Sequence, residues 1–366
     1  GDRRAVRIVH PVPGGAAGVT PPSQAPRLGI VLIGRNEGER LRGCLEAVRP
    51  HGGATVYVDS GSTDGSIALA RGLGADVVEL SAEQPFTAAR ARNAGLERLI
   101  RNDAGVELVQ FVDGDCRVQE GWLEAASAVL RDRPEVAVVC GRRREAHPEA
   151  SIYNRLCDME WDTPVGEAKA CGGDAMMRVD ALRRVGGFNP AVIAGEEPEL
   201  CIRLRAAGWK ILRVDAEMTL HDAAITRLSQ WWRRNTRTGY GYALGASIHG
   251  GPPEFHGVRA VRSMILWAGV LPVAAVAGIW VTRGWSILLL FAVYLAQGVR
   301  MVLRNRHSDR RPADVRAMVL FTMLGKFPQL LGVVRFWIDR ARGIRGGIIE
   351  YKGGPTPTST AKASVP

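Results

Sequence analysis

Five short apolar runs, rich in β-branched residues, alternate with amphipathic stretches of helical length over residues 28–140. Strands that alternate with helices in this way form βαβ units, which build a mainly parallel sheet. The sequence therefore predicts an α/β fold for this part of the chain. The predicted strands are Leu28–Ile33, Thr55–Val58, Ala75–Leu80, Val106–Val112 and Val136–Cys140, and the predicted helices are Glu39–Val48, Ser66–Arg71, Thr87–Arg101 and Gly121–Arg131.

Polar clusters follow three of the predicted strands, at residues 34–37, 59–64 and 113–115. The carboxyl ends of parallel strands share one edge of a sheet, where α/β proteins bind their ligands. In the third cluster, Asp113 and Asp115 place two carboxylates one residue apart, a spacing that suits Mg²⁺ or Mn²⁺ shared with substrate phosphates. A solvated turn is the alternative, because Asp-Gly is common in loops.

The positive charge of the chain is concentrated in its C-terminal part. The formal net charge is +11, and the residues from Arg227 onward carry 20 Lys and Arg against 5 Asp and Glu. Such an excess indicates nucleic acid or anionic lipid. Because it lies beside apolar segments, we expect an anionic membrane surface and no nucleic-acid partner. The six cysteines are dispersed and no secretory signal precedes them, so we expect reduced thiols in a cytosol-facing domain.

Two uncharged stretches, Met264–Val281 and Trp285–Val299, are long enough to be transmembrane candidates. We predict spans at about residues 263–281 and 285–303, with a buried helical hairpin in a soluble domain as the alternative. Seven arginines flank this pair of spans, whereas only Arg283 lies between them. The positive-inside rule then predicts a multi-pass protein of the cell (inner) membrane whose N-terminal half is cytoplasmic.

A third apolar stretch, Val315–Val334, is interrupted by Lys326 and Pro328. A spanning helix would have to bury a charge and repair a break in its hydrogen bonding. We therefore predict an interfacial or re-entrant helix at about residues 314–340. The alternative is a third span, which would place the C-terminus outside.

Two ordered series of motifs resemble the family 2 glycosyltransferases, whose fold is of the GT-A type, a Rossmann-like α/β fold. The segments Ile33–Glu37, Val58–Ser66, Ala91–Gly95 and Phe111–Asp115, the last ending in a DXD motif, resemble the nucleotide-sugar half of that family. The segments Gly172–Met176, Val185–Phe188, Gly195–Leu200 and Arg203–Leu204 resemble its acceptor half. We expect a flexible extension at 1–26, a catalytic domain at 27–226 (nucleotide-sugar half 27–140, acceptor half 141–226), an interfacial linker at 227–257, a membrane region at 258–350 and a flexible tail at 351–366.

The resemblance implies a set of donor-binding residues. Asp59 would hydrogen-bond the base of a uridine-type nucleotide. The rest of the implied donor set is Ile33, Gly34, Arg35, Glu37, Ser60, Arg92, Asn93, Asp113 and Gly114. Two alternatives stand beside these roles: Glu37 as a carboxylate at a helix start, and Arg92 with Asn93 as an exposed helical face.

Metal and sugar contacts are implied in the same way. Asp115 would bind the cation directly, and Asp113 would contact the ribose or the water shell of the cation. His221 matches a position where related enzymes offer a third metal ligand, although a lone histidine is often structural. Gly173 and Asp174 would lie against the sugar or acceptor.

Inverting transfer needs a carboxylate that accepts the proton of the acceptor hydroxyl. The family usually supplies it as the Asp of a Glu-Asp pair, and here the pair is Glu196-Glu197. We therefore expect Glu197 to be the base, with Glu196 as the other candidate and an acidic helix N-terminus as the structural alternative.

Gln230–Arg234 partly resembles the Gln-x-x-Arg-Trp element of membrane polysaccharide synthases, with Arg where Trp is expected. Arg233 or Arg234 would then clamp the donor diphosphate. An interfacial helix that contacts lipid is an equal alternative.

Together these features predict a membrane-anchored, metal-dependent, inverting glycosyltransferase. Its donor would be a nucleoside diphosphate sugar, and its acceptor a lipid-linked or nascent glycan in cell-envelope or exopolysaccharide synthesis. An inactive adaptor of the same fold and a sugar nucleotidyltransferase are the alternatives. The sequence predicts no oligomeric state.

Overall fold

The computed structural model describes residues 26–51 and 53–344, and the chain divides into two compact units. Among the described residues, the first contains those up to Ala146 together with Trp161–Pro190 and Glu196–Asp222. The second contains His147–Glu160, Ala191–Gly195 and the described residues from Ala223 onward. The predicted flexible ends lie outside the described residues, apart from Pro26.

A single mixed sheet forms the centre of the first unit. Its strands are β1 Leu28–Gly34, β2 Thr55–Asp59, β3 Asp76–Glu79, β4 Leu108–Asp113, β5 Cys116–Val118, β6 Val136–Glu145, β7 Gly166–Glu167, β8 Ala175–Arg178 and β9 Lys210–His221. They lie in the order β3-β2-β1-β4-β8-β6-β9-β5, with β7 also paired to β9. The first four strands are parallel, as are β6 and β9, whereas β8, β5 and β7 pair antiparallel. The α/β prediction is confirmed.

Helices complete both units. They are α1 Glu39–Val48, α2 Ser66–Gly72, α3 Ala88–Asn102, α4 Trp122–Asp132, α5 Ile152–Glu160, α6 Val179–Arg184, α7 Glu196–Ala206, α8 Leu228–His249, α9 Val258–Ile265, α10 Leu271–Ala277, α11 Ile279–Thr282, α12 Trp285–Arg304, α13 Pro312–Leu324 and α14 Lys326–Ala341. The first unit contains α1–α4, α6 and α7, and the second contains the others.

Helix α3 packs closely on β1 and β2. Thr87 caps its N-terminus by accepting a hydrogen bond from the Arg90 backbone. A side chain at Gly95 would overlap Val31 and lie 2.9 Å from Val58. Overpacking of this kind costs about 1–3 kcal/mol. The glycine of the Ala-Arg-Asn-Ala-Gly motif therefore lets the helix lie directly on the sheet.

The parallel register brings three strand ends together. Gly34 of β1 lies opposite Asp59 of β2, and Ile33 lies opposite Asp113 of β4. The polar clusters that follow β1, β2 and β4 therefore share one edge of the sheet, as predicted.

The second unit contains three helices that are long and apolar enough to cross a membrane, judged by length and composition. They are Val258–Ala277, Trp285–Arg304 and Pro312–Ala341. The first two overlap the predicted spans at about residues 263–281 and 285–303, and their crossing of a membrane stays a prediction. In Trp285–Arg304 no residue of the most apolar stretch of the helix is buried against the rest of the described structure. The alternative of a buried hairpin is therefore wrong for this helix.

The first of these helices contains a π-helical turn at Leu266–Val270, just before Pro272. Proline has no N–H and its ring clashes with the carbonyl four residues earlier, so a local change of helical pitch accommodates it.

In the third helix, Gly325 joins α13 to α14 with helical backbone angles (φ −59°, ψ −22°). Its length and composition fit the alternative of a third span as well as the predicted interfacial helix. One part of it is tied to α8, where Asn235 accepts a 2.9 Å hydrogen bond from Gln329. Gly239 and Gly332 allow the two backbones to approach closely.

Candidate active site

Asp59 organises the loop that follows β2. Its side chain is buried, and Oδ2 accepts hydrogen bonds from the backbones of Gly61 (2.8 Å) and Ser62 (2.7 Å). The Tyr57 hydroxyl donates to Oδ1 over 3.1 Å. Burial, together with the Asp59 charge, raises the pKa of Tyr57, so this phenol stays a donor. The carboxylate predicted to contact the base is therefore held rigidly at the sheet edge.

The loops after β1 and β2 are joined by short hydrogen bonds. The Ser60 backbone donates to the Gly34 carbonyl over 3.0 Å, and the Asn36 backbone donates to Ser62 Oγ over 2.9 Å. Arg35 lies over the Phe86 ring at 5.5 Å. Just before α1, Glu37 forms an ion pair with Arg40 over 2.8 Å, which agrees with its alternative role at the helix start.

Arg92 joins the two halves of the site. Its Nη2 donates to Asp113 Oδ1 and its Nη1 to Glu196 Oε1, each over 2.8 Å. Burial alone would lower the pKa of Arg92, but the charges of Asp113 and Glu196 outweigh it and raise the pKa. The side chain is 3% exposed, so the alternative of an exposed helical face is wrong for Arg92.

Asn93, the other half of the predicted nucleotide-contacting pair, is bound to the backbone of Phe188. Its amide donates to the Phe188 carbonyl over 2.7 Å and accepts from the Phe188 N–H over 2.9 Å. Phe188 in turn packs against Phe111 and lies under the Arg92 guanidinium. Contact of Asn93 with the nucleotide stays a prediction.

Asp174 is fully buried behind Asp113. Its Oδ1 accepts from the Asp113 backbone over 2.9 Å, and its Oδ2 accepts from Thr219 over 2.8 Å. Arg143 lies 2.7 Å from the same Oδ2. A side chain at Gly173 would come within 2.8 Å of Asp113 Oδ2. Both predicted sugar-contacting residues therefore support Asp113 in this arrangement, and their contact with the sugar stays a prediction.

The predicted metal ligands Asp115 and His221 lie together in a buried position. His221 Nε2 is 3.5 Å from Asp115 Oδ2, and both side chains are 7% exposed. The antiparallel pairing of β5 with β9 places Cys116 opposite His221, and Asp115 is the residue before it. Ligand atoms of Asp115, Cys116 and His221 lie within 4.8 Å of one another, close enough to bind one ion.

The other ring nitrogen of His221 supports this assignment. Nδ1 is buried without a hydrogen-bond partner among the described residues, and Glu145 Oε2 lies 3.7 Å away. At metal sites a carboxylate commonly lies behind a ligating histidine, next to the ring nitrogen that does not bind the metal, and it orients the ring and fixes its tautomer. The residues present therefore fit a divalent cation. The oxygens of Asp113 face Arg92 and Arg143 instead, which agrees with its predicted indirect role.

The two candidate bases have different environments. Glu196 is paired with Arg92, as described above. Glu197 is buried, and its Oε1 accepts hydrogen bonds from the Cys171 backbone and, over 3.0 Å, from Cys201 Sγ. Burial raises the pKa of Glu197 despite these hydrogen bonds. A carboxylate with a raised pKa is the better proton acceptor near neutral pH.

Arg233 and Arg234 belong to the second unit. Arg234 pairs with Glu160 over 2.9 Å, and Gln230 caps α8 by accepting from the Arg227 backbone over 3.0 Å. Both contacts stabilise the unit itself. The predicted clamp on the diphosphate stays a prediction.

Comparison with known proteins identifies the family. The family model "Glycosyl transferase family 2" matches residues 30–185, and "Glycosyl transferase family group 2" matches residues 108–303, more than half of the chain. The chain belongs to the family 2 glycosyltransferases. This confirms the resemblance of the motifs.

Relatives of this glycosyltransferase include the succinoglycan biosynthesis protein ExoA of Rhizobium meliloti, 25% identical over 80% of this chain and 90% of that protein. Glycosyltransferase AglE of Haloferax volcanii is 26% identical over 55% of this chain and 68% of its own length. Among solved structures, a mannosyltransferase from Pyrobaculum calidifontis, in complex with GDP-Man and Mn²⁺, is similar with a TM-score of 0.56. It is 17% identical and covers 87% of this chain, with 89% of its own length matched. The likeness confirms the GT-A fold.

Several residues of the site, among them Phe86, Arg143, Glu145 and Cys171, were not singled out from the glycosyltransferase sequence. Phe86 follows a loop without a motif, and Arg143 and Glu145 lie in a charged run that hides the continuation of β6 beyond Cys140. The pairing of β6 with β9, which places Glu145 opposite His221, joins positions 76 residues apart. Cys171 is an isolated cysteine until the fold places it against Glu197. No local signal in the sequence predicts these contacts.

Proposed function

We propose that this glycosyltransferase moves a sugar, with inversion, from a nucleoside diphosphate donor to a lipid-linked or nascent glycan acceptor. One observation carries the proposal. Arg92 forms ion pairs with Asp113 at the donor edge of the sheet and with Glu196 at the start of α7. Glu197, the candidate base, is the next residue along the chain after Glu196. The ion pairs of Arg92 therefore hold the donor edge of the sheet close to the candidate base.

Asp115 and His221 would hold a divalent cation, Mg²⁺ or Mn²⁺, with Asp113 acting through the ribose or the water shell of the cation. When bound, such a cation neutralises the charge that develops on the departing nucleoside diphosphate. Three observations support this proposal: the ligand atoms of Asp115 and His221 lie close together, the Glu145 carboxylate lies behind the histidine, and the similar mannosyltransferase from Pyrobaculum calidifontis is in complex with Mn²⁺.

Glu197 would act as the general base. It accepts the proton of the acceptor hydroxyl while that oxygen attacks the anomeric carbon, on the face opposite the departing diphosphate, so the configuration is inverted. Its buried position supports this role, because a raised pKa brings the carboxylate closer to the operating pH. Arg92 neutralises Glu196, which makes Glu196 the weaker candidate.

The donor nucleotide is proposed as UDP on the resemblance of the Asp59 loop. Arg35, Glu37, Ser60 and Asn93 would complete its pocket. Because the mannosyltransferase of similar fold binds GDP-Man, a test must include guanosine donors.

The acceptor is proposed from the membrane region. Three apolar helices and the arginines around them point to membrane association. We propose a cytoplasmic catalytic domain at the inner membrane and a role in cell-envelope or exopolysaccharide synthesis, as the name of the ExoA relative indicates for that protein. A reporter fused at Arg283 should lie outside the cytoplasm.

A donor screen tests the proposal. Membranes that contain the protein are given UDP- and GDP-sugars, and released nucleoside diphosphate is measured with and without Mg²⁺ or Mn²⁺. We expect release that depends on metal and is lost in Asp115→Ala, whereas Glu217→Gln, on the exposed part of β9, keeps it. Release of pyrophosphate would instead indicate nucleotidyl transfer, and no turnover of any donor would indicate an inactive adaptor.

A further inference from the structure

A second group of potential metal ligands surrounds the candidate base. Cys171, Glu197 and Cys201, here called the thiol–carboxylate cluster, are all buried, and their ligand atoms lie within 4.8 Å of one another. The two sulfur atoms are 3.7 Å apart, and Cys201 Sγ is 3.0 Å from Glu197 Oε1. None of the six cysteines, all of which the structure describes, forms a disulfide bond.

The fold builds this cluster from two segments. Glu197 and Cys201 are four residues apart on α7, so their side chains share one face of the helix. Cys171 comes from the loop that precedes β8, and its backbone N–H donates to Glu197 Oε1. On either side of Cys171, Ala170 and Gly172 are exposed, so the buried cluster lies beneath a surface loop.

We propose that the thiol–carboxylate cluster is a binding site for a thiophilic divalent cation such as Zn²⁺. Two thiolates on a tetrahedral zinc, each about 2.3 Å from the ion, are about 3.8 Å apart, close to the observed separation. The carboxylate supplies a third ligand, and solvent supplies the fourth. As the two sulfur–metal bonds form, the two thiols release two protons to solvent, and no oxidation or reduction takes place.

The thiol–carboxylate cluster and the site at Asp115 and His221 differ in the type of ligand that they offer to a metal ion. The thiol–carboxylate cluster offers two thiolates, which select Zn²⁺ and similar ions, whereas the proposed ligands of the other site are one imidazole and a carboxylate, and the carboxylate also suits Mg²⁺ and Mn²⁺. On the proposed function, a cation at the thiol–carboxylate cluster occupies the carboxylate that must accept a proton. Zn²⁺ bound at the thiol–carboxylate cluster is therefore an inhibitor of transfer, and it acts there without occupying the site at Asp115 and His221.

The test is a Co²⁺ titration of the full-length protein under anaerobic, reducing conditions. Thiolate ligation gives a thiolate-to-cobalt charge-transfer absorbance, a readout that does not depend on turnover. We expect one equivalent of Co²⁺ to produce this band and Zn²⁺ to abolish it by displacement. Cys171→Ser and Cys201→Ser should each weaken binding by at least about 10- to 100-fold, the loss already caused by changing a residue that only supports a metal ligand.

Matched controls separate the cluster from other buried thiols. Cys116→Ser removes the thiol beside Asp115, and Cys44→Ser removes a buried thiol of α1; both variants should keep the band, as should His221→Ala. Should a cysteine variant fail to fold, Glu197→Gln, which keeps both sulfurs, should still show the band with weaker binding.

Three results would overturn the site: no band in the wild-type protein, a band that persists when both cysteines are replaced, or an intact mass that shows a Cys171–Cys201 disulfide despite the reductant. If the band appears as expected but no donor is turned over, the proposed function fails and the metal site stands. If transfer proceeds and the band is absent, the metal site alone fails.

Discussion

Arg92 and Glu196 form an ion pair of 2.8 Å in which the arginine side chain is 3% exposed and the glutamate side chain 13%. The Glu196 oxygen that accepts this hydrogen bond is occupied by the Arg92 guanidinium and is not free to face an acceptor hydroxyl. Of the two adjacent glutamates, we therefore propose Glu197 as the proton acceptor. The pair also orients Asp113, which the same guanidinium contacts.

From this pairing we predict that Glu196→Gln is the milder of the two glutamate-to-glutamine changes. The amide oxygen can still accept a hydrogen bond from Arg92, so the network loses a charge and keeps its shape. We expect kcat for donor turnover to fall by no more than about tenfold, equivalent to about 1.4 kcal/mol. Steady-state kinetics in detergent or membranes measure it. A loss as large as that of Glu197→Gln would make Glu196 the better candidate base.

Glu145 should tune the metal site through His221. Its Oε2 lies 3.7 Å from Nδ1, and the opposite ring nitrogen faces Asp115. We expect Glu145→Gln to weaken Mn²⁺ binding by about 10- to 100-fold, measured as free Mn²⁺ by electron paramagnetic resonance. Glu217→Gln, an exposed change on β9, is the control. Wild-type affinity in Glu145→Gln would show that the carboxylate does not orient the histidine.

Asn93→Ala should destabilise the fold. It removes both hydrogen bonds to the Phe188 backbone, and a buried polar group left without a partner costs about 1–3 kcal/mol. Each kcal/mol corresponds to about 2–4 °C in melting temperature for a domain of this size. Asn102→Ala, at the exposed end of the same helix, should change the melting temperature less. A rise in the donor KM of Asn93→Ala would in addition support the predicted nucleotide contact, whereas an unchanged melting temperature would contradict the structural role.

Glu197→Gln should be more stable than the wild-type protein at neutral pH, even though we expect it to be inactive. Burial raises the pKa of Glu197 in the folded state, so ionising this carboxyl favours unfolding. The stability that the neutral carboxyl contributes is present below the unfolded pKa, near the ordinary glutamate value, and is lost as pH rises through the higher folded pKa. The advantage of glutamine should therefore be large at pH 7–8 and vanish as pH falls towards that ordinary value. Melting curves across this range test it, and a pH-independent difference would contradict the burial argument.

Local patterns in the sequence predict the nucleotide-sugar half well. Helix α1 has the predicted bounds, and β1, β2 and β4 differ from prediction by one or two residues at their ends, because α1 is amphipathic and each strand is a nearly continuous apolar run. The continuation of β6 through Arg142–Glu145 was missed, since a charged run resembles a solvated loop until β9 pairs with it.

The candidate site likewise contains residues that the sequence predicts and residues that it does not. Asp113, Asp115 and the Glu196-Glu197 pair are visible as motifs, and the resemblance extends the set to His221. The supports of these residues are not visible, because Arg143, Glu145 and Cys171 acquire partners only through contacts between distant segments.

The central claim is that Glu197 is the base of an inverting sugar transfer, and the donor turnover of Glu197→Gln tests it most directly. Nucleoside diphosphate release is measured at saturating donor and metal, beside Glu196→Gln and the wild-type protein, with melting curves to confirm folding. Removing a general base should lower kcat by about 10²–10⁴-fold, and Glu197→Asp, which restores the carboxylate on a shorter arm, should recover part of it. A folded Glu197→Gln that turns over donor at the wild-type rate would contradict the account.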